Sequence, residues 1–300
     1  MRILPLETNR KQEFIDYCVA HRSEHDDSSL YDEDLKCFIP NENNPTYILK
    51  DNNDTVVGAV SLLLGPESRK KGTLRFRILH STIATTEAYQ MMIDAISNHL
   101  DGINNIFLYI PEEKTCTRDI LEKLGFCVQR FAWILTRKNE NILPPIFPND
   151  YIVRPFRKGK DEEAWCNISN AAFSIFSWHV NTTTESVLFD ETSDTYIKDG
   201  ILMLWHGKEP IGILRVEKDP DDNILEIGPI AILPAYQGKG LGRNLLRFGL
   251  EVGLRNGLKS TVLSVNGENK KAADLYLSEG FEKEALICCY EKMLANVKKI

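Results

Sequence analysis

Residues 102–126 recur as residues 257–281 without a gap, at a displacement of 155, and this internal repeat limits what the chain can fold into. The pairs Gly102/Gly257, Leu108/Leu263, Glu113/Glu268, Asp119/Asp274, Gly125/Gly280 and Phe126/Phe281 are identical. Apolar positions between them coincide as well, Ile110 with Val265 and Ile120 with Leu275. Each copy reads as strand, helix, closing strand: Ile106–Ile110, Glu113–Leu124 and Phe126–Leu135, then Thr261–Val265, Asn269–Ser278 and Phe281–Met293. Upstream, each copy has a helix (residues 11–20 and 161–173) and a hairpin. The first hairpin joins Tyr47–Lys50 to Thr55–Leu64 through Asp51-Asn-Asn-Asp54, and the second joins Ile201–Trp205 to Pro210–Lys218 around Gly207-Lys-Glu. Leu74–Leu79 and Ile227–Leu233 add a strand to each, followed by helices from Thr86 and Leu241. The expected class is α/β, in the α+β sense of a mixed, mostly antiparallel sheet flanked by helices, built twice in tandem. Residues 1–140 form one expected domain and 151–300 the other. Lys138–Asp150, with three prolines and four Asn or Asp residues, serves as the linker.

Composition narrows the setting. The formal net charge of −7 argues against a general nucleic-acid or anionic-membrane binder. No apolar run approaches the ~18 residues of a membrane span, and the N-terminal stretch lacks the apolar core of a secretory signal. Seven scattered cysteines without a C-x-x-C pair fit a reducing cytoplasm, so cytoplasmic localisation is expected. Paired Cys/His spacing is missing too, so no metal site is expected. His21 and His25, four apart, read as a solvated helix face.

The chemistry concentrates in Glu226-Ile-Gly-Pro-Ile-Ala-Ile-Leu-Pro-Ala-Tyr-Gln237-Gly-Lys-Gly240-Leu-Gly242-Arg243. A buried strand feeds a glycine-rich turn at the start of an amphipathic helix carrying Leu241, Leu245, Phe248 and Val252 on one side. Backbone N–H groups converge there and the helix dipole favours negative charge, so the turn is an anion cradle. The dinucleotide spacing G-x-G-x-x-G fails at Arg243, and the P-loop spacing is absent. At the displacement of 155, Gln237, Gly240 and Gly242 fall on Thr82, Thr85 and Glu87, while Asn269 and Tyr276 fall on Lys114 and Leu121. Only the second copy is equipped for an anionic ligand.

Together with Asn269-Lys-Lys-Ala272-Ala-Asp-Leu275-Tyr276-Leu-Ser-Glu-Gly280-Phe281, the turn resembles the two principal motifs of the GNAT superfamily of acyl-CoA-dependent N-acyltransferases. The likeness is close over residues 200–293 and loose over the first copy. It implies that Gln237, Gly238, Lys239, Gly240, Leu241, Gly242 and Arg243 bind the pyrophosphate of acetyl-CoA mainly through backbone N–H groups. It implies that Ile230, Ala231 and Ile232 pair with the pantetheine arm, Asn269 lies beside it, and Ala272 lets it pass. Pro229, which removes a ladder donor, fits a bulge or splay there. Tyr276 stands where family members carry the general acid that protonates the leaving thiolate, in contact with the cofactor. Glu226, eleven residues before Gln237, stands where several place the base that deprotonates the amine. Partial burial at the head of an apolar strand should raise its pKa.

A decayed first copy before an equipped second one is similar to the architecture of mycothiol synthase, although Ser264 stands where that family has an aromatic substrate contact. The implied activity is transfer of an acetyl group from acetyl-CoA to a primary amine of a small molecule or peptide, by direct attack in a ternary complex, in a monomer or homodimer. The acceptor is expected between the copies, near Phe173, Phe176, Trp178 and His179, with Phe173 and Phe176 more simply read as core. Carboxylates of the His21–Asp34 stretch would suit a cationic acceptor. A non-catalytic acyl-CoA sensor and a transferase using a longer acyl donor are the alternatives.

Overall fold

The computed structural model describes residues 1–25, 30, 35–176, 181–187, 192–219 and 223–294. Its backbone divides into two compact units. Unit 1 comprises Met1–Ala132 with Ala285–Ile300, and unit 2 comprises Trp133–Glu284. The strands are β1 (Arg2–Pro5), β2 (Thr46–Lys50), β3 (Val56–Leu63), β4 (Thr73–Ser81), β5 (Asn105–Pro111), β6 (Cys127–Lys138), β7 (Tyr151–Pro155), β8 (Ile201–His206), β9 (Glu209–Asp219), β10 (Ile224–Ile232), β11 (Ser260–Asn266) and β12 (Glu282–Met293). The α-helices are α1 (Lys11–Ala20), α2 (Pro66–Lys71), α3 (Thr86–Ile96), α4 (Thr115–Lys123), α5 (Glu162–Phe173), α6 (Leu241–Arg255) and α7 (Lys270–Ser278).

In unit 1 the strand order is β1-β2-β3-β4-β5-β12. Every pairing is antiparallel except β4–β5, which is parallel over Thr73–Arg75 and Asn105–Phe107 only. The β2–β3 hairpin closes on Asp51, whose carboxylate accepts from the N–H of Asn53 (2.8 Å) and Thr55 (2.9 Å). Helices α3 and α4 cover one face, where Tyr89, Met92, Ile96 and Leu121 pack on Leu74, Phe76 and Leu108. Helix α1 covers part of the other through Phe14, Tyr17 and Cys18 against Ile48, Ala59 and Ile78. The closing strand comes from the far end of the chain. Ile287–Met293 of β12 run antiparallel to Pro111–Asn105, with Tyr290 fully buried in the core.

Unit 2 repeats the plan. Its order is β11-β10-β9-β8-β7, with the Trp133–Lys138 portion of β6 beside β11. Its parallel pair, β10–β11, joins Leu225–Ile227 to Thr261–Leu263. Helices α6 and α7 cover one face and α5 the other. Residues 139–150 hold no helix or strand, but Ile142 and Phe147 pack against the unit 2 core. The edge strands β1 and β7 and the short helix α2 were not read from the sequence. The strands are brief and half exposed, so they carry little alternation to detect.

His21 and His25 depart from the solvated reading. His25 is buried, and His21 Nδ1 lies 2.7 Å from Glu24 Oε1, while Glu24 Oε2 lies 3.3 Å from His80 Nε2. Tyr17 Oη sits 2.8 Å from His80 Nδ1. The helix ends at Ala20, so the four-residue spacing no longer defines a helical face. Burial, with His25 nearby, pushes His80 down to about 4. Below its unfolded value near 6.5 the unfolded chain takes up a proton that the folded chain refuses, so stability falls as pH drops from 6.5 to 4. Glu24, held low chiefly by its hydrogen bond to His21, loses its contribution on further acidification. Unit 1 should therefore lose up to about 3 kcal/mol over that window. Urea unfolding followed between pH 7 and 4 should show this slope in the native chain and a flatter one in His80→Asn.

Candidate functional site

In unit 2, β10 leaves β11 after Ile227. Its pairing with β9 shifts register between Ile227 and Ile230, around Gly228-Pro229, and resumes as Ile230↔Leu214, Ala231↔Ile213 and Ile232↔Gly212. Beyond the short parallel stretch the two strands splay, and Ile230–Ile232 has a partner on one edge only. A proline without an N–H makes the break inexpensive at that point. Ser264, the first residue of β11 past the paired stretch, is exposed.

The chain leaves β10 through a 3₁₀ turn at Pro234–Tyr236 and enters α6 at Gly240. Gly238 (φ 77°) and Gly240 (φ 75°) adopt left-handed backbone that other residues resist. A Cβ built on either would meet nothing within 4 Å, so the space before the turn is open. Among the described residues, no protein acceptor takes the N–H of Gly238, Lys239, Gly240, Leu241, Gly242 or Arg243; the first N–H used is that of Asn244, bonded to the Gly240 carbonyl at 3.1 Å. Six consecutive donors thus stand free at a helix N-terminus, an arrangement suited to an anion.

The side chains of this turn hold the loop. Gln237 Nε2 donates to the Ile232 carbonyl at 2.9 Å, tying the turn to the end of β10. Lys239 Nζ lies 4.9 Å from the Tyr236 ring centre. Tyr236 Oη donates to Glu209 Oε2 at 2.7 Å, fixing the turn to the β8–β9 hairpin. Arg243 is committed to Glu279 and, at 2.9 Å, to Ser278 Oγ. Burial raises the affinity of the Glu279 carboxyl for a proton, but Arg247 and Arg243 outweigh it and hold the pKa below the ordinary value. The motif's side chains therefore shape the loop, while its backbone donors stay unengaged.

The equivalent loop in unit 1 is built differently. Residues 82–84 link Ser81 to the N-cap Thr85, whereas residues 233–239 link Ile232 to Gly240, seven residues against three. The ungapped match of Gln237 to Thr82 is corrected accordingly: the N-caps Thr85 and Gly240 correspond, but the stretch before them is four residues shorter. Donors that flank the short loop are engaged within unit 1, and no run of six is left free. Thr82 N–H bonds the Val57 carbonyl (2.9 Å), Ile83 N–H the Ser81 hydroxyl (3.0 Å), Thr85 N–H the Ile83 carbonyl (2.8 Å) and Ala88 N–H the Thr85 hydroxyl (3.2 Å).

Helix α7 presents the second motif. Asn269 caps it, its Oδ1 accepting from Ala272 N–H at 3.2 Å, and Ala272 packs at the edge of the core. Tyr276 is buried against Phe281, ring centres 5.8 Å apart, and burial pushes its phenol well above the ordinary range. Its hydroxyl has no hydrogen-bond partner among the described residues and is not among the sealed polar atoms. Glu226 precedes the splay, directly across from Glu217 on β9. The residue stands on an exposed face, yet its carboxyl has lost enough hydration, with Glu217 and Asp219 adding repulsion, to be raised above the usual carboxylate value. Leu225 and Ile227 share the core with Tyr276, so alternation along the strand sends Glu226 to the opposite face of the sheet. The two residues thus lie on opposite faces of the sheet. Phe173 packs on the α5 face as core, Phe176 is half-buried, and Trp178 and His179 lie outside the described residues.

Residues 163–281 match the Acetyltransferase (GNAT) family, which supports an acyltransferase enzyme. The chain is similar to the mycothiol acetyltransferase of Kytococcus sedentarius, 27% identical over 256 residues that cover 80% of this chain and 79% of that one. The mycothiol acetyltransferase of Geodermatophilus obscurus is 31% identical over 144 residues, covering 46% of this chain and 47% of its own length. A GCN5-related N-acetyltransferase from Sphaerobacter thermophilus shares the fold with a TM-score of 0.75 at 16% identity, over 97% of this chain and 95% of that one. A tandem GNAT protein from the clavulanic acid biosynthesis pathway gives 0.74 at 13% identity, over 97% and 98%.

Proposed function

We propose that the chain transfers an acetyl group from acetyl-CoA to a primary amine of a small molecule or peptide, by direct attack within a ternary complex. The observation that carries this reading is the run of free N–H groups from Gly238 to Arg243 at the mouth of the β10–β11 splay. The diphosphate lies on those donors and the pantetheine arm follows the open edge of Ile230–Ile232, past Asn269 and Ala272. The thioester then reaches the splay, where Glu226 and Tyr276 approach from opposite faces.

The chemistry follows from their protonation. Glu226, raised by desolvation and neighbouring carboxylates, is a stronger base than a free carboxylate and accepts the proton of the attacking ammonium. The amine adds to the thioester carbonyl, the tetrahedral intermediate collapses, and the C–S bond breaks. Tyr276, kept protonated by burial, delivers its proton to the departing thiolate and is restored by the second proton that the nitrogen sheds as it becomes an amide. Unit 1 carries neither the long loop nor a run of six consecutive free donors, which supports a single acyl-CoA site.

The test is thiol release from acetyl-CoA in the presence of an amine panel that includes the acceptor of mycothiol acetyltransferases. Tyr276→Phe should lower kcat about 100-fold with little change in the KM for acetyl-CoA. Glu226→Gln should lower kcat by a similar factor of about 100 and remove the acidic limb of the pH–rate profile, because no carboxylate is left to deprotonate. Unchanged kcat in both variants would remove the assigned chemistry. Tight CoA binding without turnover for any amine would instead favour a sensor.

A further inference from the structure

Glu279 ends helix α7, three residues after Tyr276, and its carboxylate is 5% exposed. It receives Arg247 in a two-point fork, Nε to Oε2 at 2.7 Å and Nη2 to Oε1 at 2.8 Å. Arg243 reaches the same Oε1, and its Nη1 also bonds the hydroxyl of Ser278. The main chain of Glu279 is equally committed. Its N–H donates to the carbonyls of Leu275 (3.1 Å) and Tyr276 (3.0 Å), and its own carbonyl accepts from Arg137 Nη1 at 2.5 Å. One residue therefore touches the last residue of the anion cradle, the helix behind it, and the backbone of the proposed acid.

A buried carboxylate forked to a largely buried guanidinium, with the partly exposed Arg243 at its rim, is a costly way to join two helices, since apolar side chains of similar volume hold such a contact as firmly or more so. What the carboxylate–guanidinium fork adds is direction. Two parallel hydrogen bonds fix the relative rotation and height of the helices that carry them, whereas a greasy contact lets them slide. Helix α6 carries the diphosphate donors at its start and helix α7 carries the phenol, so their relative height sets how far the Tyr276 oxygen lies from the sulfur of a ligand anchored at Gly238–Arg243.

We propose that Glu279 is a positioning residue, which sets the Tyr276 helix against the cradle helix and so holds the proton donor in register with the bound acyl-CoA. It touches neither ligand nor reacting atoms and acts through Arg243, Arg247 and the Tyr276 backbone. The proposal rests on the acyl-CoA reading above.

The experiment compares the full-length native chain with Glu279→Gln and with the double variant Glu279→Leu/Arg247→Leu, which replaces the ion pair by apolar packing. Each is followed by thermal unfolding, CoA affinity by calorimetry, and kcat and KM for acetyl-CoA. The double variant should keep its Tm near the native value and bind CoA within a few-fold, yet lose about tenfold or more in kcat, because a small displacement of a catalytic group is felt in the rate. Retained Tm with kcat within twofold of native would overturn the proposal and leave Glu279 a structural residue. Should the double variant unfold early, Glu279→Gln decides below its own Tm, since it keeps shape but loses the charged fork. A several-fold drop in kcat at unchanged CoA affinity supports positioning, and native kcat rejects it. Failure of the native chain itself to bind CoA would instead count against the acyl-CoA reading.

Discussion

Gly238→Val/Gly240→Val is expected to raise the KM for acetyl-CoA by about 100-fold while leaving the chain folded. Both glycines hold φ near +75°, where a β-branched side chain is strained, and both face open space that the added isopropyl groups would fill. Rotation away from the left-handed region re-aims the free N–H groups of residues 238–243. Strain alone costs about 1–3 kcal/mol per site, which calls for a control. Gly257 supplies one. It has φ 80° and nothing within 4 Å of its Cβ, but it follows the C-terminus of α6, away from the cradle. Gly257→Val, with one strained site against two, should lower Tm by about half as much and leave KM near native. If both variants shift KM alike, global strain explains the effect and the cradle does not.

Deleting residues 285–300 is expected to abolish the cooperative folding of unit 1. The segment is remote in sequence yet supplies the strand beside β5, paired from Ile287↔Pro111 to Met293↔Asn105. It brings Tyr290, Cys288 and Cys289 into buried positions. Tyr290 Oη accepts from Arg118 Nε at 2.9 Å and donates to Glu122 Oε1 at 3.1 Å, so α4 loses its anchor with the strand. Removing a buried aromatic of this size by itself costs about 3–5 kcal/mol, a large share of the 5–15 kcal/mol of a typical domain. The deleted strand would also leave β5 as a raw edge and open the core over Leu108 and Leu121. Loss of one thermal transition, with a matching fall in helix and strand content, is the expected outcome. A truncated chain that retains both transitions would mean that β12 is dispensable to unit 1.

This second result marks where the sequence stops being informative. The strand Glu282–Met293 was legible from its apolar run, but alternation reports which face a residue occupies and says nothing about which neighbour the strand chooses. Its assignment to unit 1, and that of Trp133–Lys138 to unit 2, comes from long-range pairing alone. The helix starts were clear because capping is local: Thr85 and Asn269 each accept the N–H three residues on. The shortened first-copy loop was hidden because identical residues flank the repeat from Gly102 onward, while the gap lies upstream among residues with little in common. At the candidate site, glycine spacing revealed the cradle, but Gln237 and Arg243 turn inward, onto Ile232 and Glu279. Spacing shows that such residues belong to a motif; only the fold shows whether they face the ligand or the loop.

The central claim is that the backbone of Gly238–Arg243 holds the diphosphate of acetyl-CoA, and amide NMR tests it most directly. On titrating the ¹⁵N-labelled native chain with acetyl-CoA, the amides of Gly238, Lys239, Gly240, Leu241, Gly242 and Arg243 should move together, downfield as free donors become bonded to phosphate oxygens, while Thr82, Ile83 and Thr85 stay in place. Saturable shifts centred elsewhere, with those six amides unmoved, would contradict the account.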